Sequence, residues 1–183
     1  MSTVDEIIDN TVAREGGYSN LKDDTGGETM WGITSATARA NGYVGAMRNM
    51  PRETAIGIYR RQYFERPGFA AVAVVSPAVA EELFDTGVNM GPDYPRRWLQ
   101  QWLNALNRGG KDYADIAEDG IIGPGTVGAL GRLIAVRGRA AAENALLKGL
   151  NCSQGARYLD LARNRAANES FLFGWMANRV GLA

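Results

Sequence analysis

The chain has 183 residues, 20 basic and 20 acidic side chains, one cysteine and no histidine. That length suits one domain, or two small ones sharing a surface, and buries a core without disulfide staples. Balanced charge removes the basic excess of a nucleic-acid-binding protein, and the missing histidine excludes Ser-His-Asp and Cys-His hydrolases and any zinc site with histidine ligands. Acid–base chemistry then falls to Asp, Glu, Tyr or Lys.

Val4, Ile7, Ile8, Thr11 and Val12 recur at helical spacing, and Ser2 or Thr3 with Glu6 offers a capping box. These signals predict a helix over about 3 to 14 that stops at Gly16-Gly17. Met1 to Asn10 lacks a basic, then apolar, leader pattern, and no apolar run reaches the ~18 residues of a membrane span. The expectation is a chain made in the cytoplasm without a signal peptide and without membrane insertion. Residues 18–34 read as turns with a small loop or β-ribbon. Ser35–Ala40 reads as a short helix capped by Thr34 or Ser35 and ended by Asn41-Gly42. Pro51 opens a helix that runs to about Phe64.

Ala70–Val75 is a short apolar run, with no element assigned to it. Helices are predicted over Pro77 to about Val88 and Pro95–Leu106, separated by Gly91-Pro92. A glycine-rich loop over 107–124 ends in Asp119-Gly120-Ile121-Ile122-Gly123-Pro124, a turn leading into a helix. Further helices are expected at about 125–136, 139–150, 153–166 and 168–179. A composition shift at Ser76-Pro77 divides the chain into 1–76 and 77–183. The fold class that results is mainly α with one small hairpin.

The chemistry concentrates in residues 15–34, where Glu15, Asp23, Asp24 and Glu28 stand among glycines, Tyr18 and Trp31. Carboxylates on so bendable a segment can converge on one atom, and paired carboxylates are what glycoside hydrolysis needs. Glu15 ends an amphipathic helix and, shielded by apolar neighbours, would protonate a leaving oxygen. Asp24 would hold water or stabilise positive charge, a role for which Asp23 and Glu28 compete. Thr29 could hold a water by its hydroxyl. Tyr18, Trp31 and Asn89 are candidate sugar-binding residues, each with a structural alternative: local packing for Trp31, a helix C-cap for Asn89. Trp98 and Trp102 share a helical face and read as core.

Glu15-Gly16-Gly17-Tyr18, then Asp24, Gly26-Gly27, Thr29 and Gly32-Ile33-Thr34, resembles glycoside hydrolase family 108, N-acetylmuramidases of phage endolysins and of bacterial proteins tied to secretion. Downstream, Asp85, Val88-Asn89, Gly91, Leu99-Gln100, Leu103-Asn104, Asp119-Gly120, Gly123 and Thr126 resemble the peptidoglycan-binding region that usually follows. The resemblance covers most of the chain and implies a lysozyme-like helical fold with Glu15 as the catalytic acid. It is also similar to phage lysozymes, in which Glu, Asp and Thr form a spaced triad; Glu15 and Asp24 fit the first gap, and Thr29 falls one residue short of the second. What it implies is cleavage of the β-1,4 bond between N-acetylmuramic acid and N-acetylglucosamine in peptidoglycan glycan strands, with no metal or cofactor. A holin or export system would give access to the periplasm and cell wall. The rival expectations are a non-catalytic peptidoglycan-binding or secretion accessory protein and a lytic transglycosylase.

Overall fold

The computed structural model describes residues 4–20 and 27–181. The chain divides into two compact units, Met1–Arg66 and Pro67–Ala183. Among the described residues the structure is mainly helical, with one two-stranded sheet.

The first unit is built on α1, Val4–Glu15. Ile7, Ile8, Thr11 and Val12 are buried along one stripe, the stripe that the sequence spacing predicts. Thr11 satisfies its hydroxyl by donating to the Ile7 carbonyl one turn back, at 3.0 Å. The capping box at Ser2 or Thr3 lies outside the described residues. After α1 come β1 (Thr29–Met30), β2 (Ile33–Thr34) and α2 (Ser35–Ala40). Then α3, Arg52–Tyr59, packs on α1 and buries Ala55, Ile58 and Tyr59. Ion pairs Arg52–Asp9 and Arg60–Asp5 join α1 to the α3 side of the unit. Both are solvent-facing and contribute little net stability. The helix continues past Tyr59, but over Arg60–Glu65 it widens to π geometry, closed by a bond from Arg66 N to Arg61 O at 3.0 Å. Sequence periodicity does not distinguish this widened turn from an α-turn.

The second unit begins with an unexpected helix, α4, Phe69–Val75. Its three alanines favour a helix and its three valines do not, and burial of Phe69 and Val72 tips that balance. Ser76 is the joint to α5, Pro77–Met90; its hydroxyl accepts from Val79 N and donates to Glu143. Next come α6 (Asp93–Leu106), α7 (Pro124–Arg137), α8 (Arg139–Asn164) and α9 (Glu169–Arg179). The long loop between α6 and α7 is organised by side chains of α6. Asn104 pairs with Ile116 through both its backbone groups, at 2.9 Å each. Buried Gln100 donates to Asp119 Oδ1 and accepts from Gly120 N. The Asp119-Gly120 turn is therefore structural, and the backbone N–H of Ile121, with Gln100, holds the Asp119 carboxyl below the usual carboxylate range.

The helices expected at 139–150 and 153–166 are one helix, α8. Gly149 does not terminate it, because that glycine is where the Trp102 indole lies against the backbone: a Cβ there would meet Trp102 at 2.5 Å. Trp102 then donates its indole N–H to Ser153 at 3.0 Å, so the half-buried ring packs between α6 and α8. We expect Gly149→Ala to cost about 1–3 kcal/mol through overpacking, read as a lowered midpoint in urea denaturation.

A polar seam runs between α5 and α8. Glu82, Asp85 and Thr86 share one face of α5; Asn151, Gln154 and Tyr158 share one face of α8. Burial pushes the Glu82 carboxyl up to about 7, against hydrogen bonds from Asn151 and Thr86 that pull it down. Asp85 instead pairs with Arg179 of α9 at 3.3 Å. Because the folded value of Glu82 lies above its unfolded one, its protonated form stabilises the fold below about pH 4, and that stability is lost as pH rises through 7. Urea denaturation at pH 5 and pH 8 should show the wild type weakened at the higher pH by on the order of 2–3 kcal/mol. Glu82→Gln, which keeps an acceptor for Thr86, should flatten that difference.

Candidate active site

The site is assembled where α1 ends. Gly16 takes a left-handed φ of 81° and turns the chain out of the helix. Ser19 then pairs with Thr29 as an antiparallel bridge, N–H to carbonyl in both directions at 3.0 and 2.9 Å. Thr29 and Met30 pair onward with Thr34 and Ile33. The expected ribbon is therefore real, and it begins four residues after Glu15.

Register decides which side chains meet. Side chains alternate across a strand, so with Ser19 opposite Thr29, Tyr18 and Glu28 fall on one face as diagonal neighbours, and Ser19 and Thr29 on the other. The Tyr18 hydroxyl donates to Glu28 Oε1 at 2.7 Å. One ring face of Tyr18 is covered by the Arg48 guanidinium, 4.8 Å from the ring centroid. Tyr18 is thus a clamped residue, with its hydroxyl and one face already engaged by protein.

Trp31 and Gly32 make the two-residue hairpin turn, with φ of 54° and 72°. Positive φ at both central positions is a type I′ turn, which favours Asn-Gly and places a bulky aromatic in a strained region. Two hydrogen bonds hold Trp31 there. Its indole N–H donates to the Met50 carbonyl at 3.1 Å, and its own carbonyl accepts from Tyr59 at 3.1 Å. Its N–H edge is committed to protein, which leaves the half-buried ring for any contact with a sugar. Thr34 caps α2 by accepting from Thr37 N at 3.2 Å; of the two capping residues read from the sequence, Thr34 is the one used.

Of the residues predicted from sequence, Glu15 closes α1, and Tyr18, Thr29 and Trp31 share the ribbon of the first unit. Asp23 and Asp24 lie outside the described residues. Asn89 belongs to the second unit, half-buried in the last turn of α5, where Gly91 with a φ of 89° is the C-cap. Sequence reasoning missed Arg48, whose position depends on the short 3₁₀ turn Met47–Asn49 packed against β1. It read Glu28 as a competitor of Asp24; a period-two reading of 18, 20, 28 and 30 would have put Glu28 with Tyr18. Among the described residues no helix is long and apolar enough to cross a membrane.

The class this architecture defines is a mainly α fold in which α1, ending at Glu15, runs into a small ribbon. Residues 8–91 match the family model "Glycosyl hydrolase 108", and residues 94–180 match "Predicted Peptidoglycan domain". By these two matches the chain is a glycoside hydrolase that acts on peptidoglycan, with its first half similar to the glycosyl hydrolase 108 family. The joint between the two matches falls at Gly91-Pro92, between α5 and α6. Among solved structures, the chain is similar in fold to "Structure of Brucella abortus SagA", with 23% identity and a TM-score of 0.63, over 92% of this chain and 84% of that one. No curated protein matches the chain.

Replacing Trp31 by Phe keeps the ring and deletes one donor, leaving the Met50 carbonyl unpaired. The expected cost is about 1–3 kcal/mol, measurable as a fall in the unfolding midpoint.

Proposed function

We propose that the protein is an N-acetylmuramidase that cleaves the β-1,4 bond between N-acetylmuramic acid and N-acetylglucosamine, with Glu15 as general acid. The observation that carries this reading is the position of Glu15: it is the last residue of α1, within the glycosyl hydrolase match, and the chain runs from it straight into the hydrogen-bonded ribbon. A carboxyl group at a helix end has an anchored backbone. Without histidine, a carboxylic acid is the natural proton donor to the leaving oxygen. Asp24 supplies the second function, holding water or stabilising oxocarbenium charge, with Thr29 assisting through its hydroxyl. Tyr18, Trp31 and Asn89 contact the glycan. The reaction needs no metal. The protein acts at the cell wall, as a bacteriolytic prophage endolysin or as a cellular remodelling enzyme, and reaches it through a holin or a dedicated export path.

The test is a digest of purified peptidoglycan with the released muropeptides read by mass spectrometry. The wild type should generate new reducing ends at muramic acid. Glu15→Gln should lose activity by about a hundredfold or more, the scale of a lost general acid, with its unfolding midpoint retained. Lysis by Glu15→Gln at the wild-type rate would reject Glu15 as the acid. A 1,6-anhydro product would make the enzyme a transglycosylase, and binding without lysis would make it an accessory module.

A further inference from the structure

Arg48 is an exposed cation in the first unit that the reaction as described does not use. It sits in the 3₁₀ turn Met47–Asn49, and that turn is fixed from both sides: Met47 and Met50 are buried at 1% and 2% exposure, and the Met50 carbonyl receives the Trp31 indole N–H. The turn packs on β1, so Arg48 is carried by the same unit of structure as the ribbon. Its guanidinium is stacked on Tyr18, three residues after Glu15.

Three other arginines of the first unit are engaged by protein. Arg52 and Arg60 pair with Asp9 and Asp5, and Arg39 donates to the carbonyls of Tyr43 and Gly45. Arg48 has no carboxylate partner among the described residues. Glu28, the carboxylate closest by register, bonds to the Tyr18 hydroxyl instead. Tyr18 therefore holds an anion at its hydroxyl end and a cation on its face, and keeps the two apart. A guanidinium held over an aromatic ring retains its in-plane N–H donors, which form a preorganised fork for a carboxylate.

The glycan backbone of peptidoglycan is made of neutral N-acetyl sugars apart from the carboxyl groups carried on muramic acid: those of the peptide stem, or the lactyl group itself where the stem has been removed. With no net charge on the protein, attraction for such a group must be local. We propose that Arg48 is a specificity residue that binds a carboxylate borne on a muramic acid beside the scissile bond. This rests on the muramidase reading above.

The experiment uses the full chain and three forms of purified sacculi: intact, treated with an amidase to strip the stems and expose lactyl carboxylates, and converted to carboxamides with carbodiimide and ammonia. Release of reducing ends gives KM and kcat for wild type, Arg48→Met and Arg48→Lys. On intact sacculi Arg48→Met should raise KM about tenfold, the scale of one charge-assisted hydrogen-bonded pair, and change kcat far less. Arg48→Lys should recover part of the loss, because it keeps the charge and loses the fork. On the carboxamide substrate the KM values of wild type and Arg48→Met should converge. On stripped sacculi, whose only carboxylates are lactyl, convergence confines the contact to the stem carboxylates, and a persistent gap shows that a freed lactyl carboxylate can take their place. Equal KM values on intact sacculi, or an undiminished gap on the carboxamide, overturn the proposal. A wild type that releases no reducing ends overturns the muramidase reading itself, and this assignment with it.

Discussion

The left-handed backbone of Trp31 is the constraint on which the first unit turns. A two-residue type I′ loop closes β1 onto β2, and an aromatic residue adopts that geometry only when its surroundings over-determine it. The indole bond to Met50 and the Tyr59 bond to the Trp31 carbonyl supply that over-determination. The same two bonds tie the hairpin to the Met47–Asn49 turn and to α3. Ribbon, turn and helix thus share one anchor, and the residues around the end of α1 inherit their positions from it.

Register does the rest. The Ser19–Thr29 bridge sorts the described residues beside it into two faces and separates Tyr18 and Glu28 from Thr29. Tyr18 then becomes an organising residue with its hydroxyl on a carboxylate and a guanidinium on its ring.

The second unit solves a different problem, a long loop and a long helix with weak local instructions. Asn104 and Gln100 substitute for sheet or helix partners and satisfy the loop backbone from α6. Gly149 admits the Trp102 indole, which lets α8 run unbroken across a position that composition alone would treat as an end. The polar seam of Glu82, Asp85, Asn151, Gln154 and Tyr158 works against stability. Burial raises the Glu82 carboxyl to about 7, and the Gln154 amide and Tyr158 hydroxyl make no hydrogen bond among the described residues.

Where hydrophobic period and local chain chemistry carry the information, the sequence determined the outcome. The buried stripe of α1, the Ser76-Pro77 start of α5, the Gly91 stop, the ribbon after Glu15 and the family motif around it are all legible in the residues, because each depends on neighbours a few positions away. The tertiary structure alone decided the helix at Phe69–Val75, the continuity of α8, the π turn at Arg60–Glu65, and the meeting of Tyr18 with Glu28 and Arg48. Those features rest on strand register and on packing between distant segments. Local propensity differences of under about 1 kcal/mol per residue are too small to fix them.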